Sequence, residues 1–294
     1  MGRERRVGLL GQLIVSSRPI SWINTAFPFA AAYYLTAREI DLTLVIGTLF
    51  FLVPYNLAMY GINDVFDYAS DVANPRKGGV EGALLAPTVH RTTLIAAVAL
   101  AVPFVVLLVL LGSPASSLVL AVSLFAVAAY SVPGLRFKEI PFLDSVTSST
   151  HFVSPAVFGL VLAGAEFTPA LFAVVVAFFL WGIASHGFGA VQDIIPDREG
   201  QISSIATVLG ASRTVRFACG AWLLAGLLML VTAWPGPLAA LLVIPYLAVV
   251  VPFWRLSDTQ SANANRGWKQ FLWINYAVGF FVTMLLIGYA AMTP

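Results

Sequence analysis

Long apolar stretches recur along this chain, and the basic residues between them fall almost entirely on alternate connections. The stretches run over residues 19–37, 42–62, 92–112, 115–132, 143–163, 169–190, 214–233, 236–253 and 270–291. Each is close to the ~20 residues that cross a hydrocarbon core as a helix. Of the 294 residues 59% are hydrophobic and only 10% charged, whereas soluble domains carry about a quarter charged residues. A water-soluble globule is therefore excluded. Nine crossings put fifteen of the sixteen Lys and Arg residues, all but Arg38, on the side of the N-terminus. That asymmetry predicts a multi-pass protein of the cell (plasma) membrane, with a cytoplasmic N-terminus and a C-terminus on the far side. The single cysteine, Cys219, rules out an intramolecular disulfide. No nucleic-acid partner is expected.

The connections are as unequal as the charges. Those at 38–41, 113–114, 164–168 and 234–235 are short, whereas 63–91 and 191–213 are long and rich in Asp, Arg and Gly. Loops of more than about a dozen residues are usually functional or disordered. Both long loops follow an acidic span end. The second span closes in Asn63-Asp64-Val65-Phe66-Asp67 and the sixth in Gln192-Asp193-Ile194-Ile195-Pro196-Asp197, with Asp67 and Asp197 standing 130 residues apart. The fold expected is all-α and a single domain over 1–294. Two four-helix halves and a ninth helix surround a central cavity, with the acidic ends facing each other.

Asn63, Asp64, Asp67 and Asp71 are spaced by one, three and four, which lines them along one helical face. Such a concentration of oxygen donors is self-repelling unless the acids pair with cations at a solvated helix end or share a hard divalent ion. Mg²⁺ takes one or two carboxylates together with substrate phosphates. Asp193 and Asp197 repeat the spacing of four, although Pro196 argues against a plain helix there. Two acidic sites suit a diphosphate leaving group, whose developing charge metal ions neutralise. Arg76 and Lys77, in the loop Asn74-Pro75-Arg76-Lys77-Gly78-Gly79, are candidate phosphate ligands.

These residues resemble a known family. Asn63-Asp64-x-x-Asp67-x-x-x-Asp71 and Asp193-x-x-x-Asp197 are similar to the paired signatures of the UbiA-type intramembrane prenyltransferases. The segment Tyr130-Ser131-Val132-Pro133-Gly134-Leu135-Arg136-Phe137-Lys138 resembles the family's stretch after the fourth span, and Arg18-Pro19 its entry to the first. The resemblance implies Mg²⁺ held by Asn63, Asp64, Asp67, Asp71, Asp193 and Asp197. It also implies an allylic prenyl diphosphate bound by Arg18, Asn63, Arg76, Lys77, Arg136 and Lys138, with Asp67, Asp71, Asp193, Asp197 and Tyr130 catalytic. Gln192 and Gln201 stand where many members carry Lys and Asp. The run from Tyr60 to Tyr68, followed by Asn74 to Gly82, looks like the lycopene elongases, which implies dimethylallyl diphosphate as donor and lycopene as lipophilic acceptor. An aromatic acceptor of the quinone type is the alternative. An isoprenoid transporter fits less well, since its ionisable groups belong near the bilayer midplane.

Overall fold

The computed structural model describes residues 8–73 and 84–293, and these form helices, turns and loops with no strand among them. Arg76 and Lys77 lie outside the described residues. Seven helical stretches among those described are long and apolar enough to cross a membrane: Leu42–Phe66, Pro87–Leu111, Pro114–Ser131, Leu143–Leu162, Pro169–Val191, Gly236–Phe253 and Asp258–Met292. The expected spans at 19–37 and 214–233 are not among the seven. The first becomes a helix of only 15 residues, Ile23–Ala37, about 22 Å long at the ~1.5 Å rise of an α-helix. The second, Ala211–Met229, carries Arg213 and Arg216 in its first two turns. The chain is an all-helical, multi-pass membrane protein.

Two compact units emerge. The first gathers the described residues up to Arg136 together with Ser154–Gly164; the second holds Phe137–Val153 and everything from Ala165 onward. The first unit contains α1 (Leu9–Ser16), α2 (Ile23–Ala37), α3 (Leu42–Leu52), α4 (Pro54–Phe66), α5 (Tyr68–Ala73), α6 (His90–Leu111), α7 (Pro114–Ser131) and the last part of α8 (Leu143–Leu162). On α6 the exposed Ile95, Val98, Val102, Val106 and Leu110 recur every three or four residues. Such an outward apolar stripe suits lipid rather than water.

The span 42–62 is not one straight helix. α3 stops at Leu52 and Pro54 opens α4, because a proline has no N–H to continue the ladder. The carbonyls freed by the break find side-chain donors. Thr25 Oγ1 donates to the Phe51 carbonyl at 2.7 Å, and Asn56 Nδ2 reaches the Phe51 and Leu52 carbonyls at 2.8 and 3.1 Å. Inside a bilayer these bonds decide whether a break is tolerated. Around it pack Phe29, Phe50, Phe51, Tyr55 and Phe158, all fully buried. Gly159 lets the chain approach this cluster: a Cβ there sits 2.7 Å from the Phe29 carbonyl oxygen.

The second unit contains the start of α8, then α9 (Pro169–Val191), α10 (Ile194–Glu199), α11 (Ile205–Leu209), α12 (Ala211–Met229), α13 (Val243–Val250) and α14 (Ala264–Met292). Its core stacks Trp222 on Tyr246 (centroids 5.4 Å apart) and Trp268 on Phe271 (4.9 Å). Gly182 and Gly189 are the small residues at close helix contacts, against Ser149 and Trp268; Gly187 makes ordinary contacts only.

Asp41 caps α3: Oδ1 accepts the Leu44 N–H and Oδ2 the Tyr33 hydroxyl, both at 2.8 Å. The Leu44 N–H first, and the Tyr33 hydroxyl after it, hold this carboxyl below the ordinary range against the opposing effect of partial burial. Its stabilisation is therefore complete above the unfolded value of ~3.9 and is lost as pH falls through the folded one. Asp41→Ala should cost about 1 kcal/mol at neutral pH. That gap should close in acid, as read from thermal unfolding in detergent. Gly159→Ala, which forces a Cβ onto backbone, should cost about 1–3 kcal/mol. Gly279→Ala, whose Cβ meets nothing within 4 Å inside α14, should leave the unfolding midpoint level or raise it, alanine being the better helix former.

Candidate active site

The first acidic set sits where α4 gives way to α5. Asp67 is the joint, with φ −98° and ψ 0°, in the sparsely populated bridge between the helical and extended regions. Two backbone bonds bracket it: the Asp67 N–H reaches the Asn63 carbonyl at 2.9 Å, and the Asp71 N–H reaches the Asp67 carbonyl at 2.8 Å. α4 ends there and α5 begins on the next residue.

Asp64 is almost completely buried, and its two oxygens are taken. Ser16 Oγ donates to Oδ2 at 2.8 Å and Arg18 Nη2 to Oδ1 at 3.0 Å. The Arg18 guanidinium also lies over the Tyr60 ring, 4.2 Å from its centroid. The Tyr60 hydroxyl is 2.7 Å from Ser21 Oγ. Arg18 has φ 51°, a left-handed conformation unusual for a residue with a Cβ.

Asp67 is held from two directions. Asn63 Nδ2 donates to Oδ2 and also to Ser131 Oγ, the latter at 2.9 Å. Arg136 Nη2 lies 3.6 Å from Asp67 Oδ1. Arg136 arrives there through a turn after α7, in which its N–H and that of Leu135 both reach the Val132 carbonyl at 3.1 Å. Gly134 (φ 92°) and Arg136 (φ 42°) are both left-handed in that turn. Of the residues read from the sequence, Arg18, Asn63, Asp64, Asp67 and Arg136 thus come together, with buried Asp71 one turn beyond Asp67. Tyr130 and Lys138 flank the same turn and are half-buried.

In the second unit Asp193 occupies the equivalent joint. It caps α10 with φ −98° and ψ 0°, and its carbonyl accepts the Asp197 N–H at 2.8 Å. This corrects the register of the repeat: Asp67 corresponds to Asp193 and Asp71 to Asp197, 126 residues apart rather than 130. It also corrects the local expectation at Pro196, which lies in an α-helical turn. Proline is accommodated in a first turn, where its missing N–H has no partner to lose. Gln192 Nε2 donates to the Gly189 carbonyl at 2.9 Å, and Asn265 Nδ2 donates to Gln192 Oε1 at 2.6 Å. Arg198 turns to Asp258 at 2.8 Å and to the Thr207 carbonyl at 2.7 Å.

Sequence reasoning missed Asp144. Its carboxylate is fully buried and accepts the Ser145 N–H at 2.6 Å, Ser145 Oγ at 3.2 Å and the Ile205 N–H of α11 at 2.7 Å. His186 Nε2 is 3.6 Å away. The available signal was an acid one residue inside an apolar span, since an ionisable group in a membrane helix is a functional suspect. His90 is structural, bonded to the Leu85 carbonyl at 3.1 Å and edge-on to Tyr68.

Among the described residues no three Asp, Glu, His or Cys side chains form a cage for a metal ion. The donors at each joint, two acids one turn apart with Asn63 added in the first unit, fit Mg²⁺. This ion commonly takes one or two carboxylates and completes its shell with water and substrate phosphates.

Residues 25–276 match the model of the UbiA prenyltransferase family. The chain is 56% identical over 281 residues to the C(50) beta-cyclic carotenoids biosynthesis protein LbtBC of Dietzia sp. (strain CQ4), covering 95% of this chain but only 65% of that longer protein. It is 51% identical over 278 residues to the lycopene elongase/hydratase of Corynebacterium glutamicum, covering 94% of this chain and 96% of the relative. In three dimensions it resembles a UbiA homolog from Archaeoglobus fulgidus, solved bound to DMAPP and Mg²⁺. The TM-score is 0.65 at 17% identity, covering 91% of this chain and 98% of the other. The shared fold, together with sequence likeness over nearly the whole chain, decides its kinship: the chain belongs to the UbiA prenyltransferase family.

Proposed function

We propose that this prenyltransferase moves a dimethylallyl group from its diphosphate to the ends of lycopene, using Mg²⁺. The observation that carries the reading is the pair of helix joints at Asp67 and Asp193, with matching backbone angles and a second Asp one turn on. The names of the two carotenoid relatives support the acceptor. The structure solved with DMAPP and Mg²⁺ supports the donor and the metal.

In this reading Asp67 and Asp71, with Asn63, hold metal at the first joint, and Asp193 and Asp197 hold it at the second. Asp64 is assigned a different part: engaged by Ser16 and Arg18, it fixes Arg18 in place. Arg18, Arg136 and Lys138 supply cations to the diphosphate, joined by Arg76 and Lys77 of the loop beyond the described residues. When bound, Mg²⁺ neutralises the charge that grows on the diphosphate as the C1–O bond breaks. The terminal alkene of the acceptor then bonds to C1, and the resulting tertiary cation loses a proton or takes up water. The face of Tyr130 offers the allylic cation a π-system. The second joint is less charged, because Gln201 and Gln192 stand where many members carry Asp and Lys, and Gln192 is bonded to Asn265. Nine crossings with a cytoplasmic N-terminus, placing both joints on the cytoplasmic side of the plasma membrane, remain our preferred topology from the fifteen-to-one basic asymmetry.

Purified protein reconstituted with lycopene and dimethylallyl diphosphate should yield C45 and C50 carotenoids by chromatography and mass spectrometry. A chelator should stop product formation, and added Mg²⁺ should restore it. Asp67→Asn and Asp193→Asn should each lower the rate by about a hundredfold or more. Prenylation of a phenolic acceptor with no C45 or C50 product would sink the carotenoid assignment.

The two parts given to the first acidic set also separate experimentally. Asp67→Asn should raise the Mg²⁺ concentration needed for half-maximal rate. Asp64→Asn should leave that concentration unchanged, while lowering the thermal midpoint and weakening apparent affinity for the diphosphate. A shifted Mg²⁺ requirement in Asp64→Asn would return Asp64 to the metal.

A further inference from the structure

A cavity of about 610 Å³ opens in the second unit where α13 ends and α14 begins. Its lining combines apolar Pro252, Phe253 and Leu256 with polar Asn263, Asn265, Arg266 and Lys269. Among the described residues no acid lines it. The Arg266 guanidinium sits 5.9 Å from the centre of the Phe253 ring, so cation and apolar lining adjoin. We propose that this cavity binds the headgroup of an anionic phospholipid.

Depth is the first argument. The candidate span Gly236–Phe253 closes at the cavity, and no charged residue follows Lys269 in α14. The cavity therefore lies at the boundary of two apolar runs, the level at which headgroups sit. Charge is the second, because two cations and two amides suit a phosphate diester. Shape is the third. Lys269, Trp273, Tyr276 and Phe280 are spaced by four, three and four, so they follow one another down a single face of α14. Trp273, Tyr276 and Phe280 are all exposed, giving an acyl chain a track that starts at the cationic end. A soluble anion has no use for that track, whereas an amphiphile matches both parts.

The test uses full-length protein in nanodiscs of phosphatidylcholine, alone or mixed with phosphatidylglycerol, with retained lipid counted by native mass spectrometry. Wild type should keep phosphatidylglycerol in preference to phosphatidylcholine and gain thermal stability from it. The double variant Arg266→Gln/Lys269→Gln should lose about 30-fold in that preference, and each single variant about 5-fold. The singles keep the measurement decisive should the double variant unfold. Arg216→Gln, which removes an exposed cation stacked on Trp254 outside the cavity, should change nothing. Retained preference in the double variant overturns the proposal, as does an equal loss in Arg216→Gln. Displacement of the bound phosphatidylglycerol by inorganic phosphate alone also overturns it, in favour of a pocket for free anions.

Discussion

A carboxylate buried beside an apolar helix is tolerated only with a cation and a full set of hydrogen bonds, and the first unit is shaped by meeting that demand at Asp64. Arg18 reaches it by adopting a left-handed backbone. Pro19 then opens a short 3-10 turn, and Trp22 Nε1 bonds the Ser17 carbonyl at 3.0 Å. The segment between α1 and α2 is thus folded around the end of α4. Arg136 makes the same approach from α7, also left-handed, toward Asp67. Conformations of this kind cost about 1–3 kcal/mol each at non-glycine residues. Two of them aim guanidinium groups at one acidic set, so the strain has a direction.

The two units meet the problem of a buried acid differently. Asp64 is met by an arginine, whose Nη2 reaches Oδ1 at 3.0 Å. Asp144 instead collects backbone and hydroxyl donors, from Ser145 and from the first N–H of α11, with His186 Nε2 3.6 Å away. The joints at Asp67 and Asp193 share backbone angles, yet their surroundings differ in the same sense. Asn63 and Arg136 attend the first, while the residue beside the second, Gln192, is committed to Gly189 and Asn265. The two joints match in backbone angles and differ in the side chains that attend them.

Much of this was legible in the sequence because a bilayer makes simple demands. Apolar runs of about 20 residues must be helices, and acids at their ends stand out against a composition with 10% charge. The rest depended on contacts distant along the chain. The engagement of Asp64 by Ser16 and Arg18 spans 48 and 46 residues, and nothing in the local pattern distinguishes Asp64 from Asp67. The register of the repeat was misread by four residues because Asp-x-x-x-Asp can be aligned on either acid, and only backbone angles separate the two choices. The break at Pro54 was visible as a proline; that Thr25 and Asn56 would serve its freed carbonyls was not. Arg76 and Lys77 lie outside the described residues, and their assignment still rests on the sequence.

Breaking a membrane helix ordinarily exposes carbonyls that lipid cannot solvate. At Asp67 and Asp193 the N–H four residues on reaches the joint's own carbonyl at 2.8 Å, and at the second joint the Gln192 amide serves the Gly189 carbonyl. What changes is the backbone conformation at the joint itself, φ −98° and ψ 0° in both. A continuous helix would keep residues four apart on one narrow face. A joint in the bridge region releases the two acids from that constraint. Both apolar helices therefore pass into their paired carboxylates through the same backbone conformation.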